Sequence, residues 1–360
     1  MAYIESCLDR LPRYRQRLKL IPGLGHPVWI DDDRFNIRFH VRHTRLPLPG
    51  SERELKRLTG RLFSQALDKA RPLWEFWIVE GIEGDRFALI PKVHHCMVDG
   101  VGGAELVQAL LRGNDSDAFK PPAPWQARPA PNRLRLMRSE VQHRVQGIRD
   151  ARQHAKRVFE NLHGLTNILR SGLRPAASTP FTETDISPYR RFDWTDMPLP
   201  EVKAIKNKLG GTINDVIVAT TAGAARRFLI RRGLDPAKLR HFRAVLPVNT
   251  RNLGSGRSIG NHVAMLLAEL PIDEPDAVKR LKRVVEVTTE LKTKSEQALG
   301  ADVIEQIANV TTKSLLSQLF KTAMRVRTYN LIITNVPGPP FQLYLLGAPL
   351  QGIYPMVPLM

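Results

Sequence analysis

Cysteine and aromatic residues are scarce in this 360-residue chain, and no apolar run is long enough to span a bilayer. Two cysteines, Cys7 and Cys96, cannot form a disulfide framework, so the simplest expectation is a reducing compartment. The N-terminus also has no apolar core of a signal peptide. These deficits predict a soluble or peripheral protein.

Acidic residues are also few, with 35 Asp+Glu against 54 Lys+Arg and a net charge of +19. Such a balance suits nucleic acid, an anionic membrane surface or a phosphate-bearing substrate. No zinc-finger spacing or RNA-binding aromatic signature is present, which argues against nucleic acid. Residues 133–170 are helical in pattern and strongly basic, which indicates either a solvated helix pair or a surface for anionic lipid.

The length predicts two domains, and 42% hydrophobic residues suffice for substantial cores. We expect a first domain over residues 1–113, a Pro-rich linker with basic helices over 114–190, and a second domain over 191–360. Strands followed by helices in each half predict an α/β (α+β) protein.

Local patterns predict the individual elements. A basic helix is expected over residues 2–18, and the alternation over 35–42 predicts a strand with one buried face. Ser51 and Glu54 form a capping-box pattern that opens a helix. Further strands are predicted at 74–79, 87–93, 241–248, 263–270 and 331–334, and further helices after Gly100 and over 200–209, 212–229 and 275–300.

The motif His-His-Cys-Met-Val-Asp-Gly over residues 94–100 is the strongest chemical signal. Neighbouring residues that leave a strand point to opposite faces, so only one of the two histidines faces a given cleft. This argues against a two-histidine metal site, and no H-x-x-x-H or C-x-x-C supplies further ligands. A single imidazole in a cleft suits general-base removal of a hydroxyl proton. The alternative is a histidine pair at a strand end that is satisfied by hydrogen bonds.

Several motifs in this order resemble the bacterial wax ester synthase/diacylglycerol acyltransferase family, within the coenzyme A-dependent acyltransferases that include chloramphenicol acetyltransferase. The matching segments are P-L-W-E at 72–75, H-H-x-x-x-D-G at 94–100, N-D-V at 214–216, L-P-V-N-T-R at 246–251, G-N at 260–261 and N-V-P-G-P at 335–339. The resemblance runs over almost the whole chain.

The resemblance implies two chloramphenicol acetyltransferase-like domains, each a mixed β-sheet with flanking helices, around a central tunnel. It implies transfer of a fatty acyl group from acyl-CoA to diacylglycerol, giving triacylglycerol, or to a long-chain alcohol, giving a wax ester. Acyl-CoA would be a co-substrate, with no cofactor and no metal. The protein would be cytoplasmic and peripheral to the inner membrane or lipid inclusions.

Residue roles follow from the resemblance position by position. His95 would be the general base, with His94 supporting it. Asp99 would be structural and bridged to an arginine, for which Arg251 is the candidate. Independently of the resemblance, Gly100 removes a side chain beside the motif, which lets a long thin substrate approach the backbone. Asn214 and Asp215 would lie near the tunnel, with Asn214 as an oxyanion or substrate contact.

Alternatives remain at two of these positions and for the whole chain. Asn214 and Asp215 also fit a plain helix cap, and Trp74 fits the core rather than the tunnel lining. The family has a strand before the point where this chain begins and further strands beyond Met360, so both termini look truncated. The second hypothesis is therefore a catalytically impaired fragment that binds lipid surfaces.

Overall fold

The computed structural model describes residues 1–21, 27–97, 102–132, 134–138, 175–183, 186–249, 263–297 and 327–356. By packing, the chain divides into two compact units. The first comprises Met1–Val141, Ser187–Thr195 and Gly338–Met360, and the second comprises Gln142–Ile186 and Asp196–Pro337. The predicted second domain, 191–360, therefore includes a C-terminal stretch that packs with the first unit. The predicted domain boundaries themselves remain a prediction.

The helices and strands of the described residues are numbered in chain order. The helices are α1 (Ala2–Cys7), α2 (Ile37–His40), α3 (Glu52–Ser64), α4 (Gly102–Leu110), α5 (Leu199–Leu209), α6 (Ile213–Arg231) and α7 (Ala277–Gln297). The strands are β1 (Gln16–Leu20), β2 (Pro27–Asp31), β3 (Val41–Arg45), β4 (Trp74–Ile82), β5 (Arg86–Val93), β6 (Arg243–Asn249), β7 (Val263–Glu269), β8 (Leu331–Ile332), β9 (Tyr344–Leu345) and β10 (Ala348–Pro349).

The first unit is built on a mixed sheet in the order β3-β4-β5. Strand β4 pairs in parallel with β3 and antiparallel with β5. Trp74, Phe76 and Val79 of β4 are fully buried, which confirms the core assignment of Trp74. Helix α3 begins at the predicted capping box, where the Glu54 carboxylate accepts the Ser51 backbone N–H at 2.8 Å.

Two predictions for the N-terminal segment are wrong. Instead of one helix over residues 2–18, α1 ends at Cys7, two 3₁₀ turns follow, and β1 pairs antiparallel with β2. Leu11 leaves the helical conformation because it precedes Pro12, whose ring disfavours the α region for the residue before it. The alternating stretch 35–42 is not one strand either, because the Asn36 side chain accepts the Arg38 N–H at 3.0 Å and caps the single turn α2.

The second unit repeats the same kind of sheet, in the order β7-β6-β8. Strand β6 pairs antiparallel with β7 and in parallel with β8. Helices α6 and α7 pack against each other and bury Ala222, Leu229 and Val284 in one core with Phe242 and Ala244. Each unit is thus a mixed sheet with flanking helices, and the predicted α/β class is confirmed.

The predicted central tunnel and the predicted loss of terminal strands are not addressed by the geometry of either unit, and both remain predictions. Among the described helices, none combines the length and the apolarity that crossing a membrane requires.

Candidate functional site

The histidine pair lies at the C-terminal end of β5, on a short turn. Trp74 of β4 is paired with Val93, the last residue of β5, and the next N–H, from His94, donates to the Leu73 carbonyl at 2.9 Å. A 3₁₀ turn over His95–Met97 follows directly. The central sheet of the first unit therefore fixes the backbone from which both imidazoles project.

The two histidines differ in their contacts. The Nδ1 atom of His94 accepts the backbone N–H of Cys96 at 3.2 Å, so the His94 ring folds back on the turn. A neutral imidazole that accepts at Nδ1 carries its proton on Nε2. The His95 side chain is exposed, and its ring makes no hydrogen bond to any described residue. His94 thus helps to hold the turn, whereas none of the described residues occupies a ring nitrogen of His95.

A buried aromatic stack supports β4, the strand that pairs with β5 beside this turn, and sequence reasoning did not identify the histidine in that stack. The His40 ring stacks on Trp74 at 4.5 Å between centroids, and its Nδ1–H donates to the Trp74 carbonyl at 2.8 Å. Trp74 in turn donates Nε1–H to the Tyr14 carbonyl at 2.7 Å. Burial lowers the pKa of His40 and raises the pKa of Tyr14 to about 12, so both rings stay neutral near pH 7.

In the second unit, the predicted residue pair stands at the start of α6. The buried Asp215 carboxylate accepts Thr212 N–H at 2.8 Å and Thr212 Oγ–H at 2.7 Å, which forms a capping box. Its other oxygen accepts the hydroxyl of Thr288 on α7 at 2.8 Å, a contact that sequence reasoning missed. The helix-cap alternative therefore describes the contacts of Asp215. Asn214 is half-buried, and its role as a substrate contact stays a prediction.

Three of the predicted site residues, Asp99, Gly100 and Arg251, lie outside the described residues, so the Asp99–Arg251 bridge stays a prediction. Within the described part of the chain, no group of three or more His, Cys, Asp or Glu side chains is arranged to hold a metal ion. Cys96 is exposed, and partial burial of its sulfur raises the pKa of the thiol. A raised pKa disfavours the thiolate that a cysteine nucleophile requires.

A cavity of about 630 Å³ lies inside the first unit. Its walls are α3, β5, the C-terminal half of α4 and the stretch from Leu345 to Met356. Aliphatic and aromatic side chains dominate the lining, among them Leu55, Phe63, Ile90, Leu106, Leu110 and Ile353. The volume falls within the roughly 300–1,000 Å³ that is usual for pockets that enclose small ligands.

Two family descriptions match this chain. The wax ester synthase/diacylglycerol acyltransferase catalytic domain matches residues 1–217, and the WS/DGAT C-terminal domain matches residues 259–360.

Individual proteins resemble the chain over most of its length. A Mycobacterium tuberculosis protein named as a probable diacylglycerol O-acyltransferase is 32% identical over 373 residues, which cover 99% of this chain and 78% of the relative. The O-acyltransferase WSD of Acinetobacter baylyi is 31% identical over 337 residues, which cover 91% of this chain and 72% of that protein. The solved wax ester synthase/diacylglycerol acyltransferase from Marinobacter aquaeolei superposes with a TM-score of 0.65 at 27% identity, covering 94% of this chain and 72% of that one.

Proposed function

Because the chain belongs to the wax ester synthase/diacylglycerol acyltransferase family and is an O-acyltransferase, we propose that it transfers fatty acyl groups from acyl-CoA to a lipid alcohol, with His95 as the general base. Diacylglycerol and long-chain alcohols are the proposed acceptors. The observation that carries the proposal is the exposed imidazole of His95, which lies just after strand β5 and makes no hydrogen bond to a described residue.

The proposed reaction passes through a single tetrahedral intermediate. A ring nitrogen of His95 takes the proton of the acceptor hydroxyl as its oxygen attacks the thioester carbonyl. The carbon–sulfur bond then breaks, the ester carbonyl re-forms, and the imidazolium returns the proton to the departing coenzyme A thiolate. General-base catalysis of this kind contributes roughly 10²–10⁴-fold to the rate.

The surroundings of the turn support His95 in this role over its neighbours. The Nδ1 atom of His94 already accepts the Cys96 N–H, so the role of His94 would be to hold the turn. The raised pKa of Cys96 speaks against a covalent acyl-cysteine. We further propose that Asn214 donates a hydrogen bond to the oxyanion and that Asp99 pairs with Arg251 to brace the motif. Preorganised oxyanion donors are worth about 3–4 kcal/mol each where tested.

The test is ester formation from radiolabelled acyl-CoA with diacylglycerol and, separately, with a long-chain alcohol. His95→Ala should lower kcat by at least ~10²-fold with either acceptor, whereas His94→Ala should lower it less. Cys96→Ser is the matched control in the same turn and should keep turnover near the original rate. Turnover retained in His95→Ala would remove the proposed base. Turnover lost in Cys96→Ser would instead point to a covalent intermediate.

We also propose a peripheral contact with anionic lipid, supported by the net charge of +19. Flotation with vesicles that contain phosphatidylglycerol should recover the protein at low salt and lose it at high salt, and neutral vesicles should recover little. Salt-insensitive binding would contradict an electrostatic contact. Vesicle binding without turnover of any acceptor would favour the second hypothesis, a lipid-surface protein without catalysis.

A further inference from the structure

The cavity of the first unit has two ends that the chain topology distinguishes. Strand β5 runs toward the histidine turn, and α4 begins at Gly102, five residues after Met97. The cavity is lined by the earlier part of β5 (86–91) and the later part of α4 (106–111). It therefore extends away from the turn along both elements that flank it. From Ile90 to His95 the chain spans at most ~17 Å at strand rise, within reach of a long alkyl chain.

The inside of this cavity suits a hydrocarbon rather than a head group. Thr59 is the polar side chain that α3 contributes in its middle, and its hydroxyl is already donated to the Leu55 carbonyl at 2.8 Å. The charged lining residues Glu52, Asp85 and Arg86 gather at the end where α3 begins and β4 turns into β5. Burying methylene groups in such a cavity removes apolar surface from water, and the charged lining residues lie at the end that is farthest from the histidine turn.

At the end of the cavity where α3 begins, Trp194 and Tyr354 line the wall, and with Lys56 they form an aromatic clamp. The Trp194 and Tyr354 rings stack at 4.5 Å between centroids with an interplanar angle of 23°. The Lys56 ammonium lies 4.4 Å above the Trp194 ring centroid and donates to the Trp194 carbonyl at 3.1 Å. Lys56 also pairs with Asp193 at 2.6 Å. The clamp thus ties the first turns of α3 to two segments that are distant in sequence.

The clamp lies distal to the histidines. Residues 190–194 run along α3, from Ser64, whose hydroxyl accepts the Arg190 N–H at 2.8 Å, to Lys56 near its start. The start of α3 lies beside the β4–β5 turn, because the Glu83 N–H donates to the Gly50 carbonyl at 3.1 Å. That turn is at the opposite end of β5 from His95. Trp194 itself is half-buried, and its buried Nε1–H has no hydrogen-bond partner among the described residues.

We propose that this cavity holds the distal part of a linear alkyl chain from one of the two substrates, and that Trp194, stacked on Tyr354, is the wall that limits chain length. The proposal rests on the acyltransferase function proposed above. The alkyl chain has two possible sources, the acyl group of the thioester and the alkyl group of the acceptor, which have the same chemistry inside the cavity.

Four proteins test the wall: the original chain, Trp194→Ala, Trp194→Phe and Ala348→Leu. Trp194→Ala removes the wall, Trp194→Phe keeps a flat apolar ring, and Ala348→Leu adds bulk to a cavity-lining position on β10. One arm measures kcat/KM over saturated acyl-CoA thioesters of increasing length with a fixed acceptor. The other arm varies the length of a primary alcohol with a fixed thioester.

In one arm, Trp194→Ala should raise the ratio of kcat/KM for the longest to the medium-length substrates by ~10-fold or more, since methylenes in apolar pockets discriminate on this scale. Trp194→Phe should leave that ratio unchanged, and Ala348→Leu should lower it. The arm that responds identifies the source of the chain. Length profiles that stay unchanged in both arms, or a loss of rate that is equal at all lengths, would overturn the proposal.

A binding measurement keeps this outcome separate from failure of the proposed reaction. Saturated fatty acids of increasing length compete with a fluorescent fatty acid for each of the four proteins. The Trp194→Ala protein should accept longer competitors than the original chain does, even if no acceptor is turned over. Absence of turnover with this shift would remove the proposed function and keep the alkyl site, whereas identical competition profiles would remove the alkyl site.

Discussion

The buried carboxylate of Asp215 offers the sharpest test of how the second unit is held together. It accepts three hydrogen bonds, two from Thr212 and one from Thr288, at 2.7–2.8 Å, and it is only 2% exposed. Hydrogen bonds to a charged group contribute about 1.5–3 kcal/mol each, and a helix N-cap about 0.5–2 kcal/mol. Asp215→Asn keeps the shape but removes the negative charge and replaces one of the two accepting oxygens by a donor. We therefore expect it to lower the free energy of unfolding by ~2 kcal/mol.

The assay is urea unfolding followed with two probes. Far-UV circular dichroism reports both units, whereas all five tryptophans, at 29, 74, 77, 125 and 194, lie in the first unit. With an m-value of about 2 kcal/mol/M, the dichroism midpoint should fall by ~1 M in Asp215→Asn. The tryptophan fluorescence midpoint provides an internal reference for the first unit. A dichroism shift worth less than ~0.5 kcal/mol would refute the assigned role of the carboxylate.

A double-mutant cycle isolates the contact between α6 and α7. Thr288→Val is close in shape to the original residue and leaves one buried carboxylate oxygen without its donor, which should cost about 1–3 kcal/mol. Combined with Asp215→Ala, the two losses should be less than additive by at least ~0.5 kcal/mol, because each change removes the same bond. Strict additivity would show that the 2.8 Å contact contributes nothing measurable.

Three further predictions concern the first unit. Burial lowers the pKa of His40 in the folded state, so its contribution to stability is fully present above the unfolded pKa near 6.5 and is lost as the pH falls through the lower folded pKa. Each pH unit between these two pKa values should lower the free energy of unfolding by at most ~1.4 kcal/mol. Urea unfolding followed by fluorescence from about pH 8 to about pH 5 should therefore show a weaker pH dependence in His40→Gln than in the original chain. Gly50→Ala should lower the free energy of unfolding of the first unit by more than ~2 kcal/mol in the same assay. Gly50 has a φ of +77°, and an added Cβ would lie 1.8 Å from the Gly81 carbonyl oxygen. An unchanged unfolding midpoint would contradict this packing. Glu54→Ala removes half of the capping box of α3 and should cost about 0.5–2 kcal/mol in thermal unfolding. Glu52→Ala, in the same first turn but not a member of the box, is the matched control and should cost less.

Elements with a strong local signature were predictable from the sequence. The long helix expected over 212–229 is observed as α6 from Ile213 to Arg231, and the hairpin strands expected at 74–79 and 87–93 are β4 and β5. The capping box at Ser51 is present as well. These features depend on contacts within a few residues, so the local pattern carries nearly all of the information.

The N-terminal segment could not be predicted because its patterns are ambiguous. An alternation such as that of 35–42 satisfies a strand template, yet the Asn36 cap and the burial of His40 against Trp74 favour one helical turn followed by a short strand. The packing of 338–356 with the first unit involves partners over 200 residues away, for example Tyr344 with Arg112. Local periodicity carries no information on such contacts.

For the site, the sequence located the histidine turn but not its supports. The motif gave the two histidines and the type of chemistry, whereas the Nδ1 contact of His94, the stack beneath β4 and the Thr288 contact of Asp215 depend on tertiary structure. Trp194 had no signal in the sequence, because its significance comes only from the cavity that it lines together with Tyr354.

The first unit is discontinuous, and this has a consequence for biosynthesis. Its cavity wall includes residues 345–356, which leave the ribosome after all the other walls of the cavity. Until then, the nascent unit presents the apolar side chains of α3, β5 and α4 to water, where chaperones can bind them. A ribosome-stalled chain that ends at Pro337 should therefore be captured by chaperones and cut by proteases more readily than one that extends past Met356.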